Sequence, residues 1–255
     1  MPFWLLAPLL LLISVQAPAA TELKGWLEWV HEIEMRVLEN GVVEEVTVSA
    51  GQRVKQGELL LRMDQREARA KLLEARARVA RAQVAGEQAQ RERARAQELF
   101  DRGLIATEEL KDAELKQVAA VAELEAAKAV EASNLVALER TELRAPFDGI
   151  VVARHAWKGE VIYKTLQQNP PIILAPDGRM LARALVTANV LRRFRPGQSA
   201  RVNLSGVVRE GSIYSLGVQS VRVELEGAVY YLDVIFDVTP DDGLRPSETV
   251  RILVP

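Results

Sequence analysis

The sequence predicts a mixed α and β fold: a long antiparallel α-helical coiled-coil hairpin set between two halves of a small β-module, followed by a small antiparallel β-barrel. Three observations carry this. The stretch from Gln65 to Arg140 contains no proline and is dominated by Ala, Glu, Arg, Gln, Leu and Val, mostly strong helix formers. The stretches on either side of it read as strand, glycine turn, strand. Beyond them, short alternating apolar runs separated by turn signals continue to Pro255, the pattern of a small barrel or sandwich.

The elements follow in order. Residues 1–20 read as a secretory signal peptide. Phe3 to Val15 is an almost unbroken apolar run, followed by the small-x-small pattern Ala17-Pro18-Ala19. About thirteen residues fall short of the roughly twenty that span a bilayer, so export with cleavage near Ala19 or Ala20 is expected, with an uncleaved N-terminal anchor as the alternative. Residues 21–64 hold an early strand around Trp26 to Val30, then Val42, Val43, Val46 and Val48, and an apolar strand Leu59 to Leu61 ending at Asp64. Gly41, Gly51 and Gly57 punctuate them.

Residues 65–140 carry the hairpin. Ala68, Leu72, Ala75, Val79, Ala82, Gly86, Ala89, Ala96 and Phe100 recur at alternating steps of four and three, broken only by Arg93. Leu115, Ala119, Ala122, Ala126, Ala129, Ser133 and Val136 repeat those steps. Gly103 is the expected stop of the first helix and Thr107, with Glu109, the start of the second. A seam made mostly of alanine lets helices approach closely but buries little area per layer. A rod of roughly 50 Å with so thin a seam is a reach device. Residues 141–172 return to β character through Leu143-Arg144-Ala145-Pro146-Phe147-Asp148-Gly149 and Ile150 to Val152. Neither β-piece has strands enough to stand alone, so the two are expected to pair. Residues 173–255 supply strands at Leu181–Val186, Ala200–Leu204, Val218–Leu225, Val229–Val238 and Thr249–Val254. Pro196-Gly197, Glu210-Gly211 and Asp242-Gly243 serve as turns between them.

Composition excludes several classes of function. Net charge is −2, from 33 basic and 35 acidic residues, so the basic footprint of a nucleic-acid binder is missing. The absence of cysteine removes thiolate nucleophiles, disulfides and Cys-based metal centres. His31 and His155 stand far apart and read as structural, and no phosphate-binding glycine motif occurs. No catalytic, cofactor or metal constellation is expected.

The segment Gly41 to Asp64 resembles the first lipoyl-like half of a membrane fusion protein, and Thr141-Glu-Leu-Arg-Ala-Pro-Phe-Asp-Gly-Ile-Val151 resembles the second. Leu181 through Phe194-Arg-Pro-Gly-Gln-Ser-Ala200, and Leu244-Arg-Pro246, are similar to that family's β-barrel domain. The resemblance implies a non-enzymatic periplasmic adaptor that joins an inner-membrane transporter, of RND or ABC type, to a TolC-like outer-membrane duct for export of small molecules. It further implies copies assembled side by side as a homo-oligomeric ring. It also implies that the membrane-proximal domain many such adaptors carry is absent or reduced. In duct-coupled members the hairpin tip carries Arg, Leu and Ser at spacings of four and seven. Arg95 and Leu99 fit, Ala106 stands where Ser is expected with Thr107 beside it, and Asp112 and Ala113 fit the residues that follow. Leu104 and Ile105 complete that candidate partner-binding tip. Two other readings compete: a coiled-coil periplasmic assembly protein without a transporter, and a biotin or lipoyl carrier with Lys55 or Lys158 as acceptor, for which the usual Met-Lys or Asp-Lys turn is missing.

Overall fold

The computed structural model describes residues 21–166, 169–225 and 227–255. The signal-peptide segment, residues 1–20, lies outside the described residues. The chain divides into two compact units, residues 31–177 and a second made of the N-terminal segment up to Val30 with Gly178–Pro255. Strand β1 (Thr21–Trp29) belongs to the second of these.

Residues 31–177 contain β2 (Ile33–Met35), β3 (Gly41–Val46), β4 (Arg53–Val54), β5 (Leu59–Met63), α1 (Arg66–Asp101), α2 (Thr107–Glu139), β6 (Glu142–Arg144), β7 (Gly149–Arg154), β8 (Val161–Ile162) and β9 (Ile172–Pro176). The strands form two four-stranded sheets, ordered β2-β9-β7-β4 and β6-β5-β3-β8. Each sheet takes two strands from before the helices and two from after them. Val43, Leu60, Leu61, Val151, Ile172 and Leu174 form the centre of the core, all at 1% exposure or less. The intertwining explains why neither half could fold alone: every sheet would lose half its strands and the core its opposite wall. Strand β9, placed by the sequence at the start of the barrel, pairs instead with β7 and β2.

The helices leave and re-enter this module at one place. Asp64 accepts a hydrogen bond from the Arg66 backbone N–H at 3.0 Å and pairs with the Arg66 side chain at 2.5 Å. Hydrogen bonding from the Arg66 guanidinium, and then from its backbone, holds the half-buried Asp64 carboxyl down at about 2. Buried Gln65 donates to Thr141 Oγ1 at 2.8 Å, and Thr141 Oγ1 donates to the Leu138 carbonyl at 2.6 Å. Together these groups satisfy the polar atoms where two helix ends meet the sheet.

Along α1 the seam lies where the heptads place it. Leu72, Ala75, Ala82 and Ala89 are buried, with Ala68, Val79, Gly86, Ala96 and Phe100 half-buried between them. Arg93 keeps its place in the seam because its guanidinium reaches Glu114, 3.6 Å away on α2. Along α2 the expected frame is wrong. Leu115, Ala119, Ala122, Ala126, Ala129, Ser133 and Val136 are all exposed. The inward stripe is Leu110, Ala113, Gln117, Ala120, Leu124, Ala127, Glu131, Asn134 and Leu138. Helix α2 carries two apolar stripes, and α1 meets one of them with an ion pair on the stripe, at Glu131, and one beside it, at exposed Glu123. Arg76 pairs with Glu131 at 3.3 Å and Arg78 with Glu123 at 3.1 Å. These pairings fix the two helices as antiparallel.

The second unit adds β10 (Arg179–Thr187), α3 (Ala188–Leu191), β11 (Ser199–Leu204), β12 (Val207–Leu216), β13 (Arg222–Glu224), β14 (Gly227–Asp237) and β15 (Thr249–Val254). The order β10-β1-β15-β11-β12-β14, with β10 also paired to β14, closes a six-stranded antiparallel barrel, and β13 hangs on β14 as an edge. Closure removes the exposed strand edges. Leu27, Ala182, Val202, Leu232, Val234 and Ile252 fill the interior with no exposed surface.

Two expectations are corrected here. Glu210-Gly211 is not a turn but the middle of β12, a strand the sequence pattern did not reveal. A Cβ at Gly211 would stand 2.6 Å from the Ile235 carbonyl oxygen, so glycine marks a close strand crossing and not a reversal. The strand expected at Val218–Leu225 shrinks to Arg222–Glu224. On the barrel exterior Arg183 is held charged chiefly by its hydrogen bond to Asp233, at 2.6 Å, with Glu28 as a further partner. Its guanidinium lies over the Tyr231 ring at 4.6 Å.

Candidate functional site

The candidate partner-binding residues cluster at the turn between α1 and α2, the end farthest along the helices from the sheets. Helix α1 stops because Gly103 adopts φ +72°, a left-handed conformation that costs glycine nothing. The Gly103 N–H donates to the Phe100 carbonyl at 2.8 Å and the Leu104 N–H to the Leu99 carbonyl at 2.9 Å. That pair of bonds is a Schellman stop, in which the Leu104 N–H closes back onto the Leu99 carbonyl.

Helix α2 starts at Thr107, as expected, but Thr107 does not cap it. Ala106, extended at φ −79° and ψ 157°, is the N-cap, and Thr107 is the first helical residue. No side-chain hydroxyl caps this helix. The carboxylates of Glu108 and Glu109 in its first turn complement the positive end of the helix dipole instead. The Thr107 hydroxyl is therefore not used as a cap, and the residue is exposed.

The structure brings Leu99, Leu104, Ile105, Ala106 and Thr107 together in this turn. Leu104 is 66% exposed, while Leu99 and Ile105 are half-buried. Arg95 sits on the exposed side of α1, about 9 Å below its end by the rise of about 1.5 Å per residue. It makes no ion pair among the described residues. Asp112 is exposed, a turn and a half into α2. The turn is thus a small convex cap with an apolar centre and charges set back from it. Sequence reasoning missed Leu110, which is buried beneath the turn and anchors it. Its position one helical turn past Ala106, on the true inward stripe, was the available signal.

The other polar candidates have local partners. His155 Nδ1 lies 2.8 Å from the Pro170 carbonyl oxygen, and His31 meets the Phe147 ring edge-on at 5.7 Å. The Lys55 ammonium, a carrier-type acceptor in one reading, is held by Asp148 at 2.9 Å, which raises its pKa. Asp148 also accepts from the Gln56 backbone at 2.8 Å, so this pair ties the two β-halves together. Among the described residues no group of three or more His, Asp or Glu could hold a metal ion. Among the same residues no helix is long and apolar enough to cross a membrane.

The CzcB-like barrel-sandwich hybrid domain model matches residues 31–167. The cobalt-zinc-cadmium resistance protein CzcB of Cupriavidus metallidurans is 31% identical over 190 residues, which is 69% of this chain and 34% of CzcB. The macrolide export protein MacA of Yersinia pestis is 25% identical over 248 residues, 90% of this chain and 66% of MacA. The chain therefore spans only about a third of CzcB and about two thirds of MacA. Among solved structures, the membrane fusion protein Spr0693 of Streptococcus pneumoniae superposes with a TM-score of 0.70 at 15% identity, over 92% of this chain and 98% of that one. A MacA-MexA chimera carrying the Pseudomonas aeruginosa MexA α-hairpin gives 0.66 at 22% identity, over 92% and 80%. The matched region covers β2 to β8 of the interleaved sheets, with the helices inserted between β5 and β6, and on that ground the chain belongs to the membrane fusion protein family with a CzcB-like barrel-sandwich hybrid domain.

Proposed function

We propose that this chain is a periplasmic adaptor that couples an inner-membrane RND or ABC transporter to a TolC-like outer-membrane duct, for export of small molecules. The observation that carries the reading is the insertion of two helices of 36 and 33 residues into the point where β5 meets β6, a rod roughly 50 Å long. A rod emerging from a closed core, ending in an exposed apolar turn, has the form of a connector. The helices act as a coiled-coil hairpin whose tip, centred on Leu104 with Arg95 and Asp112 behind it, engages the duct. CzcB is a metal-resistance protein and MacA a macrolide export protein, and both names support an export role for this chain. No chemical step is assigned to it; the residues 1–20 direct it to the periplasm. Export of a small-molecule substrate from cells should fall at least tenfold in Leu104→Asp, with the thermal midpoint of the purified protein unchanged because the side chain is exposed. Export at the native level in that variant would remove the tip from the docking surface.

The adaptor acts as a ring of copies. The outward stripe of α2, with Leu115 67% and Val118 66% exposed, supports side-by-side packing. So does the charge of the two helices: α1 has nine basic and six acidic side chains, net +3, and α2 has three and eight, net −5. A neighbour's α1 laid on α2 would cover the apolar stripe and set opposite charges together. Val118→Glu combined with Ala122→Glu should shift the sedimentation profile toward monomer, and an unchanged profile would contradict this arrangement.

A further inference from the structure

One end of the barrel unit carries two features that the helical connector does not use. Strand β10 ends at Thr187, opposite Val229 on β14. Beyond that point β14 runs on to Gly227 and turns back as β13, where Val223 pairs with Ala228. This extension projects past the closed barrel, and its apolar side chains have no cover: Val218 is 97% exposed, Val223 78% and Leu225 109%. Helix α3 begins at the same end, directly after Thr187, and leads into Arg192, Arg193 and Arg195. All three arginines are exposed and make no ion pair among the described residues. The nearby carboxylates are partly spoken for, Glu224 by Arg222 at 2.5 Å and Glu22 by Arg251 at 3.2 Å.

The chain itself says what this end faces. Strand β1 starts here, since Gly25 pairs with Ala184 and Thr21 therefore lies level with the end of β10. In the uncleaved precursor Thr21 follows the apolar run Phe3–Val15 after residues 16–20, a tether of at most about 18 Å, so export delivers this end of the barrel beside the membrane. We infer that this end of the barrel docks on the surface of an anionic phospholipid bilayer, with Val218, Val223 and Leu225 entering the headgroup region and Arg192, Arg193 and Arg195 meeting lipid phosphates. The chemistry favours lipid over a protein partner. The segment Gly217–Val229 contains no aromatic residue, whereas protein interfaces are anchored by Trp, Tyr and Arg in packed pockets. A convex aliphatic tip flanked by unpaired arginines matches the interfacial mode of binding, apolar groups at the acyl boundary and cations at the headgroups.

The inference deepens the adaptor reading by naming how the barrel meets the inner membrane, and it can fail independently of it. The chain has no cysteine, so Leu225→Cys provides a single site for an environment-sensitive fluorophore in the full chain. On vesicles of phosphatidylethanolamine and phosphatidylglycerol, the label at 225 should shift to the blue and be quenched by nitroxide lipids. Val208→Cys is the control. It is 50% exposed and lies at the opposite end of the same barrel, beyond the Gly211–Phe236 pair, so its label should stay aqueous. Neutralising Arg192, Arg193 and Arg195 to glutamine should weaken the signal at 225 roughly 100-fold in lipid concentration, at about fivefold for each charge removed. Phosphatidylcholine vesicles should give the weaker response as well. A label at 225 that remains aqueous on anionic vesicles overturns the proposal. So does a label shielded only when a second, unlabelled copy or transporter-bearing vesicles are added, because the tip would then bind protein. The export assay of the helical tip tests the adaptor reading separately, whatever the lipid signal shows.

Discussion

A chain in which residues 66–139 are replaced by a short Gly-Ser turn is expected to keep its β-structure and lose export entirely. The geometry at the insertion point gives the reason. Strands β5 and β6 are paired neighbours, with Leu61 opposite Leu143 and Arg62 opposite Glu142. The Met63 N–H donates to the Thr141 carbonyl at 2.8 Å. A turn can therefore bridge the two strands as it does in any hairpin. No residue of α1 or α2 belongs to the hydrophobic core of the sheets, so the deletion removes a reach element without opening a cavity. Circular dichroism should show the loss of nearly all helix, with cooperative unfolding retained and stability within about 2 kcal/mol of the parent. Export in a complementation assay should fall to that of cells lacking the protein. Export that survived the deletion would end the adaptor reading, whereas a chain that failed to fold would contradict the independence of the sheets.

The largest expected loss of stability comes from Gly149→Val. Gly149 looks like a turn glycine in the run Pro146-Phe147-Asp148-Gly149, but it is the first residue of β7, paired with Val54 on one side and Pro176 on the other. A Cβ there would stand 2.5 Å from the Ala175 carbonyl oxygen, 3.2 Å from the Phe147 ring and 3.3 Å from Leu174. The obstacle is backbone in an adjacent strand and cannot rotate away. The substitution would have to part β7 from β9 in the sheet that both β-halves share, at a cost of about 3 kcal/mol or more. Urea unfolding would measure it. Gly159→Ala is the comparison: its φ is +87° but nothing stands near its Cβ, so only backbone strain of about 1 kcal/mol is expected. Equal losses in the two variants would show that the close approach at Gly149 has no energetic weight.

Gly149 and Gly211 show the limit of reading glycine from sequence. Both stand beside polar residues and pass for turns, yet both are strand residues that let a neighbouring backbone come close. The distinction depends on which strand lies alongside, and the carbonyl that comes close is 26 residues away for Gly149 and 24 for Gly211. The turn glycine at 103 was legible because its cause is local: a helix must stop within a few residues, and the left-handed conformation is cheap only for glycine.

Much of the architecture was fixed by local chemistry. The proline-free, alanine-rich composition specifies the helices over 66–101 and 107–139 because propensity, summed over so many residues, leaves no competing conformation. The change to β-branched residues on both sides marks where they end, and the two short β-pieces had to combine because neither could bury its own face. The choice between the two apolar stripes of α2 was not legible. Leu115 and Val118 repeat every three or four residues as faithfully as Leu110 and Leu124, and periodicity describes a stripe without saying what it faces. Only the placement of α1, with Arg76 and Arg78 answering Glu131 and Glu123, turned one stripe inward and left the other for a neighbour. The same holds at the barrel: Val223 and Leu225 read as core strand residues from their alternation. Closure between β10 and β14 left them outside, because a closed barrel has no interior place for a seventh strand.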